Sequence, residues 1–550
     1  MKALVVCALV ACAPAWKGTP HDQLFQIDAP TKVMPRPIEL DPSDWWDKGE
    51  LLLVRPLGQL LSPGTYVRGI AGAPPARDVN RLGQVPDSPW FENRIGRHDF
   101  APIEARDGAA YDRQLAPGPL AVISGKLEGV SAGFVVRDTA AQVWFLKLDH
   151  PGFPELSTSA EVISSRLFWL AGYRVPAMQA IDLDLARLVL DPEAKTRDDY
   201  RRPIPLTSDA LRALLANANP SLEGRVRVLI SAQPSGRALG PFSYRGQRVD
   251  DPNDVIPHEH RRTLRGLWLF NAWVNNTDTR DANTLDMFRP TRPDGRGIIE
   301  HYLIDFGDAF GSTGLGEKAA MEGWQHLLDW RSTFLNLFSL GLRLPPWRRA
   351  ERSPIRAIGL FEAKVFEPAS WRPELPNPAF EQRTPEDTFW AASILARIQP
   401  LHIRAAVKAG AYSEQGAADY VVDTLLARRK KLLEHGFRGF LELDRPRATG
   451  TTLQLDDLRA LGNLPTAGPV HYTIRWNRTR ARDRVLEQGT IATEGTLISI
   501  DLSSVLEKHG DALADDPFLS VELVREFRRM TVHLRVTKRH ATPVAVERGR

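Results

Sequence analysis

The chain has 550 residues, too many for one hydrophobic core, and this length predicts about two to four domains. Its composition, 43% hydrophobic and 25% charged, is typical of a globular protein and excludes fibrous and low-complexity classes. The net charge of +4 is small for this length, and arginines are spread along the chain. The one dense basic run, 428–431, lies on a predicted helix and indicates a solvated face. We therefore expect no nucleic-acid partner.

The first twelve residues have the pattern of a signal peptide. Lys2 precedes a short apolar run, and the only two cysteines are Cys7 and Cys12. The sequence Leu-Val-Ala-Cys at 9–12 resembles the bacterial lipobox, which implies that Cys12 carries acyl chains and anchors the protein in a lipid bilayer. A mature chain with no other thiol fits an oxidising compartment. Ala13 implies, by resemblance to Gram-negative lipoproteins, the outer membrane facing the periplasm. An apolar start without a targeting role is the alternative.

Three short strands and a helix are predicted after residue 118. Alternating apolar residues and short turns predict a small antiparallel sheet with strands 119–124, 133–137 and 142–148. The helix at 157–172 has Ser157 or Ser159 as its N-cap and ends at Gly172.

A second helix, 258–275, leads directly into the loop Asn-Thr-Asp-Thr-Arg-Asp-Ala-Asn at 276–283. Two apolar strands, 284–288 and 298–304, follow and flank a turn that contains Pro293 and Gly295. A hairpin formed by these strands would bring Asn283 and Asp305 together at its open ends.

This arrangement predicts a metal-assisted phosphoryl-transfer site. Asp278 can accept a proton from an attacking hydroxyl, while Asn283 and Asp305 offer the hard oxygen ligands that Mg²⁺ prefers. A surface loop is the alternative explanation of the short Asp-x₄-Asn pattern alone.

Lys147 is a cation within the apolar strand 142–148 of an arginine-rich chain. A lysine placed there suits phosphate oxygens, and Glu161 on the next helix could hold it in an ion pair. An edge-strand lysine that points to solvent is the alternative.

The order and spacing of these elements resemble the protein-kinase-like fold over about residues 118–440. The loop at 276–283 is closer to atypical branches: phosphoinositide lipid kinases, HipA-type toxin kinases, spore-coat kinases and secreted secretory-pathway kinases. The resemblance implies that Lys147 binds ATP phosphates, Glu161 orients Lys147, and Asp278 is the catalytic base. It also implies that Asn283 and Asp305 hold Mg²⁺ or Mn²⁺, with a glycine loop at Gly129 and Gly133 over the phosphates.

The sequence departs from ordinary kinases in three places. Asn276 and Thr277 stand where His-Arg precedes the catalytic aspartate. The stretch from Gly129 to Gly133 lacks the usual three-glycine spacing, and no Ala-Pro-Glu follows Asp305.

The predicted fold class is α+β: a two-lobed kinase-like domain with an N-terminal extension and a C-terminal β-sandwich-like domain. Further helices are predicted at 322–340, 384–398 and 413–435, and the connection 345–383 is predicted to wrap the surface. Alternating strands are predicted at 470–476, 496–502, 518–524 and 531–536. The predicted units are a signal peptide (1–12), a tether (13–40), an extension (41–117), an N-lobe (118–177), a C-lobe (178–445) and a β-rich domain (446–550).

The favoured function is a lipid-anchored atypical kinase that transfers phosphate from ATP to an unknown protein, glycan or lipid hydroxyl. Because ATP is scarce outside the cytoplasm, an inactive kinase-like scaffold or binding lipoprotein stays open. Adenylyl transfer on the same fold is a third possibility.

Overall fold

The structure is a computed structural model. It describes residues 32–40, 72–97, 99–125, 133–198, 202–218, 224–327, 338, 345–465, 467–476, 484–493 and 495–549. Cys12, Gly129, the predicted signal peptide, most of the predicted tether and most of the predicted helix 322–340 lie outside the described residues.

The first sheet has seven strands in the order β4-β7-β3-β2-β1-β5-β6. Neighbouring strands are antiparallel except β1 and β5, which are parallel. Its strands are β1 (Leu120–Gly125), β2 (Gly133–Arg137), β3 (Val143–Leu148), β4 (Met178–Asp184), β5 (Leu188–Arg197), β6 (Pro203–Pro205) and β7 (Arg225–Ala232).

This sheet is larger than the three strands predicted. Because β7 pairs with both β3 and β4, it extends the first lobe to Ala232, beyond residue 177 where we placed the end of the N-lobe. The 191–224 stretch, which carries β5, β6 and a helix, therefore belongs with this sheet.

Helices cover both faces of the sheet. Alternation along β3 directs Trp144 and Leu146 into a core shared with Leu211 of the helix Ser208–Ala218. Lys147 points to the other face, where its strand neighbour Leu229 packs with the helix Leu156–Ala171. In chain order the first helices are α1 (Pro102–Asp107), α2 (Leu156–Ala171) and α3 (Ser208–Ala218).

The larger lobe is mainly helical and also carries the predicted hairpin. A short strand, β8 (Arg237–Ala238), pairs with β9 (Thr284–Pro290), which pairs with β10 (Gly297–Leu303). The helices share one extensive apolar core with α2. They are α4 (Arg262–Val274), α5 (Pro378–Glu381), α6 (Pro385–Arg397), α7 (Pro400–Ala409) and α8 (Ala417–Gly436).

The C-terminal domain contains two antiparallel sheets and two helices, and the sheets pack with the longer helix around a separate apolar core. Its three-stranded sheet has the order β11-β12-β15, and its five-stranded sheet has the order β14-β13-β16-β17-β18. The elements are β11 (Leu443–Thr449), β12 (Thr452–Asp457), α9 (Leu458–Leu461), β13 (Val470–Trp476), β14 (Arg484–Ile491), β15 (Leu497–Asp501), α10 (Ser503–Asp515), β16 (Phe518–Arg525), β17 (Arg528–Val536) and β18 (Ala541–Gly549).

The end of the predicted tether is docked onto the larger lobe. Met34 exchanges two backbone hydrogen bonds with Gly297, each 3.0 Å long, and its side chain is buried beside Phe288 and Ile299. Leu40 continues the contact by donating from its backbone N–H to the Leu239 carbonyl at 2.8 Å. Residues 32–40 are therefore part of the folded body.

The predicted α+β class is confirmed: the chain has a first lobe built on a seven-stranded sheet, a larger and mainly helical lobe, an N-terminal extension and a β-rich C-terminal domain. In the part of the chain that the structure describes, none of the helices combines the length and apolar character needed to cross a bilayer.

Candidate active site

Lys147 lies between two carboxylates. Its Nζ forms a short ion pair with Glu161 Oε1 and lies 2.9 Å from Asp305 Oδ1. Glu161 is buried, whereas the Asp305 side chain is 49% exposed. The predicted ion pair between Lys147 and Glu161 is present, and Lys147 also contacts Asp305, the aspartate that follows the hairpin.

Helix α2 is fixed to the end of β3 by Asp149. Its carboxylate accepts from the backbone N–H groups of Ser157 and Thr158, at 3.1 and 2.9 Å, and from the Thr158 hydroxyl at 2.6 Å. Asp149 therefore caps the helix in place of the predicted Ser157 or Ser159. Because the cap lies two residues after Lys147, the same short segment positions both members of the Lys147–Glu161 pair.

The hairpin brings Asn283 beside Asp305, as the sequence predicted. Leu303 pairs with Thr284, and the Ile304 N–H donates to the Asn283 carbonyl at 3.0 Å. The Asn283 side-chain nitrogen donates to the Asp278 carbonyl at 2.8 Å, which leaves its amide oxygen as the atom that can bind a cation.

The backbone at Asp305 is unusual. Its φ is +56°, a left-handed conformation that costs a non-glycine residue energy and tends to occur at functional sites. The next residue, Phe306, donates from its backbone to Glu161 Oε2 at 3.3 Å and stacks on Phe168 with ring centroids 4.9 Å apart. At Gly307 an added Cβ would lie 2.8 Å from Ser157 Oγ, so a side chain would crowd α2.

Asp278 lies in the loop after α4 and is held by Arg280. The Arg280 Nη2 donates to Asp278 Oδ2 at 2.7 Å, and its Nε donates to the other carboxylate oxygen. Since a carboxylate has about four acceptor positions, this pairing leaves room for an incoming hydroxyl. Arg280 was not singled out in the sequence.

Asp308 and Lys318 hold the loop backbone in place, and the sequence analysis missed both. Asp308 Oδ2 accepts from the N–H groups of Thr277 and Asp278, at 3.1 and 3.0 Å, and from Lys318 Nζ at 2.6 Å. Lys318, which is 1% exposed, also donates to the Asn275 carbonyl at 3.1 Å. Lys318, like Lys147, is a lysine in an arginine-rich chain, and this is the signal by which the sequence could have indicated it.

The segment 371–377 supports the loop from its other side. The Trp371 indole donates to Asn275 Oδ1 at 3.0 Å, the Glu374 N–H donates to the Thr277 carbonyl at 2.9 Å, and the Asn377 side chain donates to the Thr279 carbonyl at 3.0 Å. This part of the connection 345–383, predicted to wrap the surface, is packed into the lobe, with Trp371 and Asn377 buried.

Electrostatics agree with a charged lysine facing carboxylates. Burial lowers the pKa of Lys147, but Asp305 and Glu161 outweigh this and raise it above its usual value. Near the loop, burial and the Asp278 carboxylate raise the pKa of Glu374. Burial also raises the pKa of Asp308, against the opposing effect of Lys318.

Gly133 stands opposite Lys147 in the β2–β3 pairing, where a Cβ would overlap the Leu146 carbonyl oxygen. Close approach of the two strands thus accounts for this glycine. A role in binding phosphate remains a prediction for Gly133 and for Gly129.

The donor set suits a cation that shares its ligands with a nucleotide. Asp305 and Asn283 supply one carboxylate and one amide oxygen, and Mg²⁺ characteristically takes only one or two protein carboxylates together with phosphate and water oxygens. Within the described ranges, no group of three or more His, Cys, Asp or Glu side chains is placed to hold a metal ion.

No protein-family model and no curated protein matches this sequence. Among solved structures, the chain is similar to a crystal structure of the Golgi casein kinase, with a TM-score of 0.28, 10% identity, and coverage of 63% of this chain and 83% of that chain. It is also similar to the Golgi casein kinase with Mn/ADP bound, with a TM-score of 0.30, 11% identity, and coverage of 73% and 94% respectively. Likenesses this distant assign no role to any residue.

Proposed function

We propose that this protein is an atypical kinase that transfers the terminal phosphate of ATP to a hydroxyl acceptor. One observation carries the proposal: Lys147 contacts both Glu161 and Asp305, while the hairpin places Asn283 next to Asp305. A cation, its buried carboxylate partner and two hard oxygen ligands thus converge from three separate parts of the chain.

Each residue then has a chemical task. Lys147 keeps 23% of its side chain exposed and can donate to phosphate oxygens. Glu161, which accepts a hydrogen bond from the Phe306 backbone N–H, holds Lys147 in position. Asp278 accepts the proton of the acceptor hydroxyl. Mg²⁺ or Mn²⁺, held by Asn283 and Asp305, would neutralise charge on the phosphates.

The face of the sheet that carries Lys147 also offers a surface for a nucleobase. Phe145, two residues away on the same side of β3, is 45% exposed and stands opposite Val135 in the strand pairing. An exposed aromatic ring beside a phosphate-binding lysine suits the stacking of a base.

The location rests on the sequence alone. We propose that Cys12 is lipidated and anchors the protein to a bacterial membrane. Metabolic labelling with palmitate should mark the full chain and should fail to mark Cys12→Ser. Labelling that persists in this variant would contradict the anchor.

The proposed activity is tested on the full chain with ATP and either Mg²⁺ or Mn²⁺. Millimolar nucleotide should raise the melting temperature, and Asp305→Asn should abolish the rise. Label from γ-phosphate should reach an envelope extract or the protein itself. Absence of a thermal shift with both metals would refute nucleotide binding.

Two outcomes distinguish the alternatives. Nucleotide binding without transfer of label would support the inactive scaffold. A product whose mass increases by a nucleotidyl group, in place of phosphate, would identify adenylyl transfer on the same site.

A further inference from the structure

A cavity of about 250 Å³ lies at the junction of three parts of the chain. One wall comes from the extension around Arg81 and Val85, the floor from α6 with Phe389 and Trp390, and the remaining wall from the C-terminal domain. The walls are joined directly, because the Val546 N–H donates to the Arg81 carbonyl at 2.9 Å. The cavity contains none of the residues of the candidate active site.

Positive charge predominates in the cavity. Its lining contains the carboxylates Glu386 and Asp444 and a larger set of guanidinium groups, Arg81, Arg262, Arg445 and Arg548. Guanidinium groups thus exceed carboxylates in the lining by two, and Asp387, which pairs with Arg262 at 3.0 Å behind the lining, reduces the excess of positive charge to one. Such an excess in a partly enclosed space attracts anions.

The arginines are held in fixed positions. Arg262 donates to the Gly83 carbonyl at 3.0 Å, and Arg548 donates to the Leu443 carbonyl at 2.7 Å and lies 4.3 Å above the Phe389 ring. Guanidinium groups that are already ordered lose little entropy when an anion binds.

Arg445 reaches the cavity through a local distortion of β11. The strand pairing shifts register between Asp444 and Arg447, and Arg445 has a φ of +47°. Bulges of this kind redirect a side chain, and left-handed backbone at a non-glycine residue costs energy. The Arg445 side chain passes Gly96, where a Cβ would overlap it, and donates to the Ile95 carbonyl at 3.1 Å.

Apolar and aromatic side chains complete the lining. Phe389, Trp390, Ile394 and Val546 offer surface for a compact apolar body next to the charged wall. The volume is below the usual range of about 300–1,000 Å³ for sites that bind drug-sized ligands, so the occupant is small.

We propose that this junction cavity binds a small dianion with a compact apolar body. Arg445, on the wall from the C-terminal domain, would bind the anionic group, and Phe389 and Trp390 on the floor would contact the apolar body. Guanidinium groups pair with phosphate and carboxylate alike. Burial lowers the pKa of Arg445 to about 10, an effect that a bound anion would oppose.

The probes are phenyl phosphate, the dicarboxylate phthalate, and benzyl alcohol as a neutral analogue, each titrated into the full chain by calorimetry and thermal shift. We expect one molecule of phenyl phosphate or phthalate to bind, and the stronger of the two identifies the head group. Arg445→Gln should weaken binding at least about tenfold. The matched control, Arg447→Gln on the same strand, should bind normally because Arg447 does not line the cavity.

The proposal would be overturned if neither anion bound at concentrations up to about 10 mM. It would also be overturned if benzyl alcohol bound as tightly as the anions, or if Arg445→Gln bound them with unchanged affinity. Should Arg445→Gln fail to fold, Arg81→Gln tests the opposite wall with the same expected loss. Lys147→Met should leave the affinity unchanged, and loss of binding in that variant would place the anion in the candidate active site.

Discussion

Lys147 and Lys318 pair with neighbouring aspartates of the segment 305–308, yet their surroundings differ. Lys147 contacts Asp305 at 2.9 Å, and that aspartate is 49% exposed. Lys318 is 1% exposed and contacts Asp308 at 2.6 Å. Two lysine–aspartate pairs whose aspartates are close in sequence are therefore placed one in a partly exposed position and one in the interior.

The difference separates a pair with a proposed function from a structural pair. Lys318 donates to Asp308, Thr277 and the Asn275 carbonyl, so all its donors serve the loop. Lys147 is bound by two carboxylates and keeps a partly exposed side chain that can meet a ligand. Burial and the number of protein partners, more than the residue type, distinguish the two lysines.

The largest expected effect is on phosphoryl transfer. Asp278→Asn should lower the transfer rate by about 10²–10⁴, the usual contribution of general-base catalysis, with nucleotide binding retained. Label transfer and thermal shift measured on one preparation check this. Asp294→Asn, on the exposed hairpin turn, is the matched control. Equal rates in the two variants would remove Asp278 from the chemistry.

The two lysines should separate in nucleotide binding. Lys318→Met leaves the half-buried Asp308 without its cation, and Lys147→Met leaves the buried Glu161 without its cation. Each variant should therefore lower the free energy of unfolding by about 3–5 kcal/mol. Lys147→Met should also abolish the rise in melting temperature with nucleotide, whereas Lys318→Met should keep it. Urea unfolding and thermal shift measure the two effects, and loss of the nucleotide-dependent rise in both variants would contradict the separate role of Lys147.

The buried carboxylate of Asp254, which is paired with His258 and Arg261, can be compared with the two lysine–aspartate pairs. Burial raises the pKa of Asp254, but His258 and Arg261 outweigh it and lower the value to about 2. Because the folded-state pKa lies below the usual 3.8, ionised Asp254 contributes about 2 kcal/mol to the free energy of unfolding at pH values above 3.8. This contribution is lost as the pH falls toward 2. Asp254→Asn should therefore be less stable than the unaltered protein at pH 6.

The measurement is urea unfolding of both proteins between about pH 6 and the acid limit of the folded state. The difference in unfolding free energy should narrow steadily as the pH falls below the usual carboxylate range. A difference that stays constant with pH would mean that hydrogen bonding, independent of charge, carries the effect.

The smallest effect concerns Gly307, beside the Lys147 pair. Gly307→Ala would place a methyl group 2.8 Å from Ser157 Oγ and 3.4 Å from Glu161 Oε1, and we expect a loss of about 1 kcal/mol. Adding Ser157→Ala should restore part of this stability by removing the crowded atom. A double variant no more stable than Gly307→Ala would contradict crowding as the cause.

Local patterns predicted the parts of the site that depend on local structure. The alternation of β3 located Lys147, the two apolar runs around a Pro- and Gly-containing turn predicted β9 and β10, and their pairing brought Asn283 to Asp305. Each of these inferences needs only strand periodicity and the geometry of a short turn.

Contacts between segments far apart in sequence could not be predicted from strand periodicity and turn geometry. Asp149 replaced the predicted serine caps, β7 joined the first sheet from beyond residue 177, and segment 371–377 packed under the loop. Hydrogen-bond partners far apart in sequence leave no periodic signal, because any polar residue of suitable reach can serve.

The sequence by itself determined the elements that carry the candidate site, their order and the chemical types of its residues, since these follow from local periodicity and from which side chains can bind phosphate or a cation. Only the tertiary structure decided which lysine is partly exposed and which is buried beneath the loop. Lys147 and Lys318 differ in environment, and environment is created by segments that meet only when the chain folds.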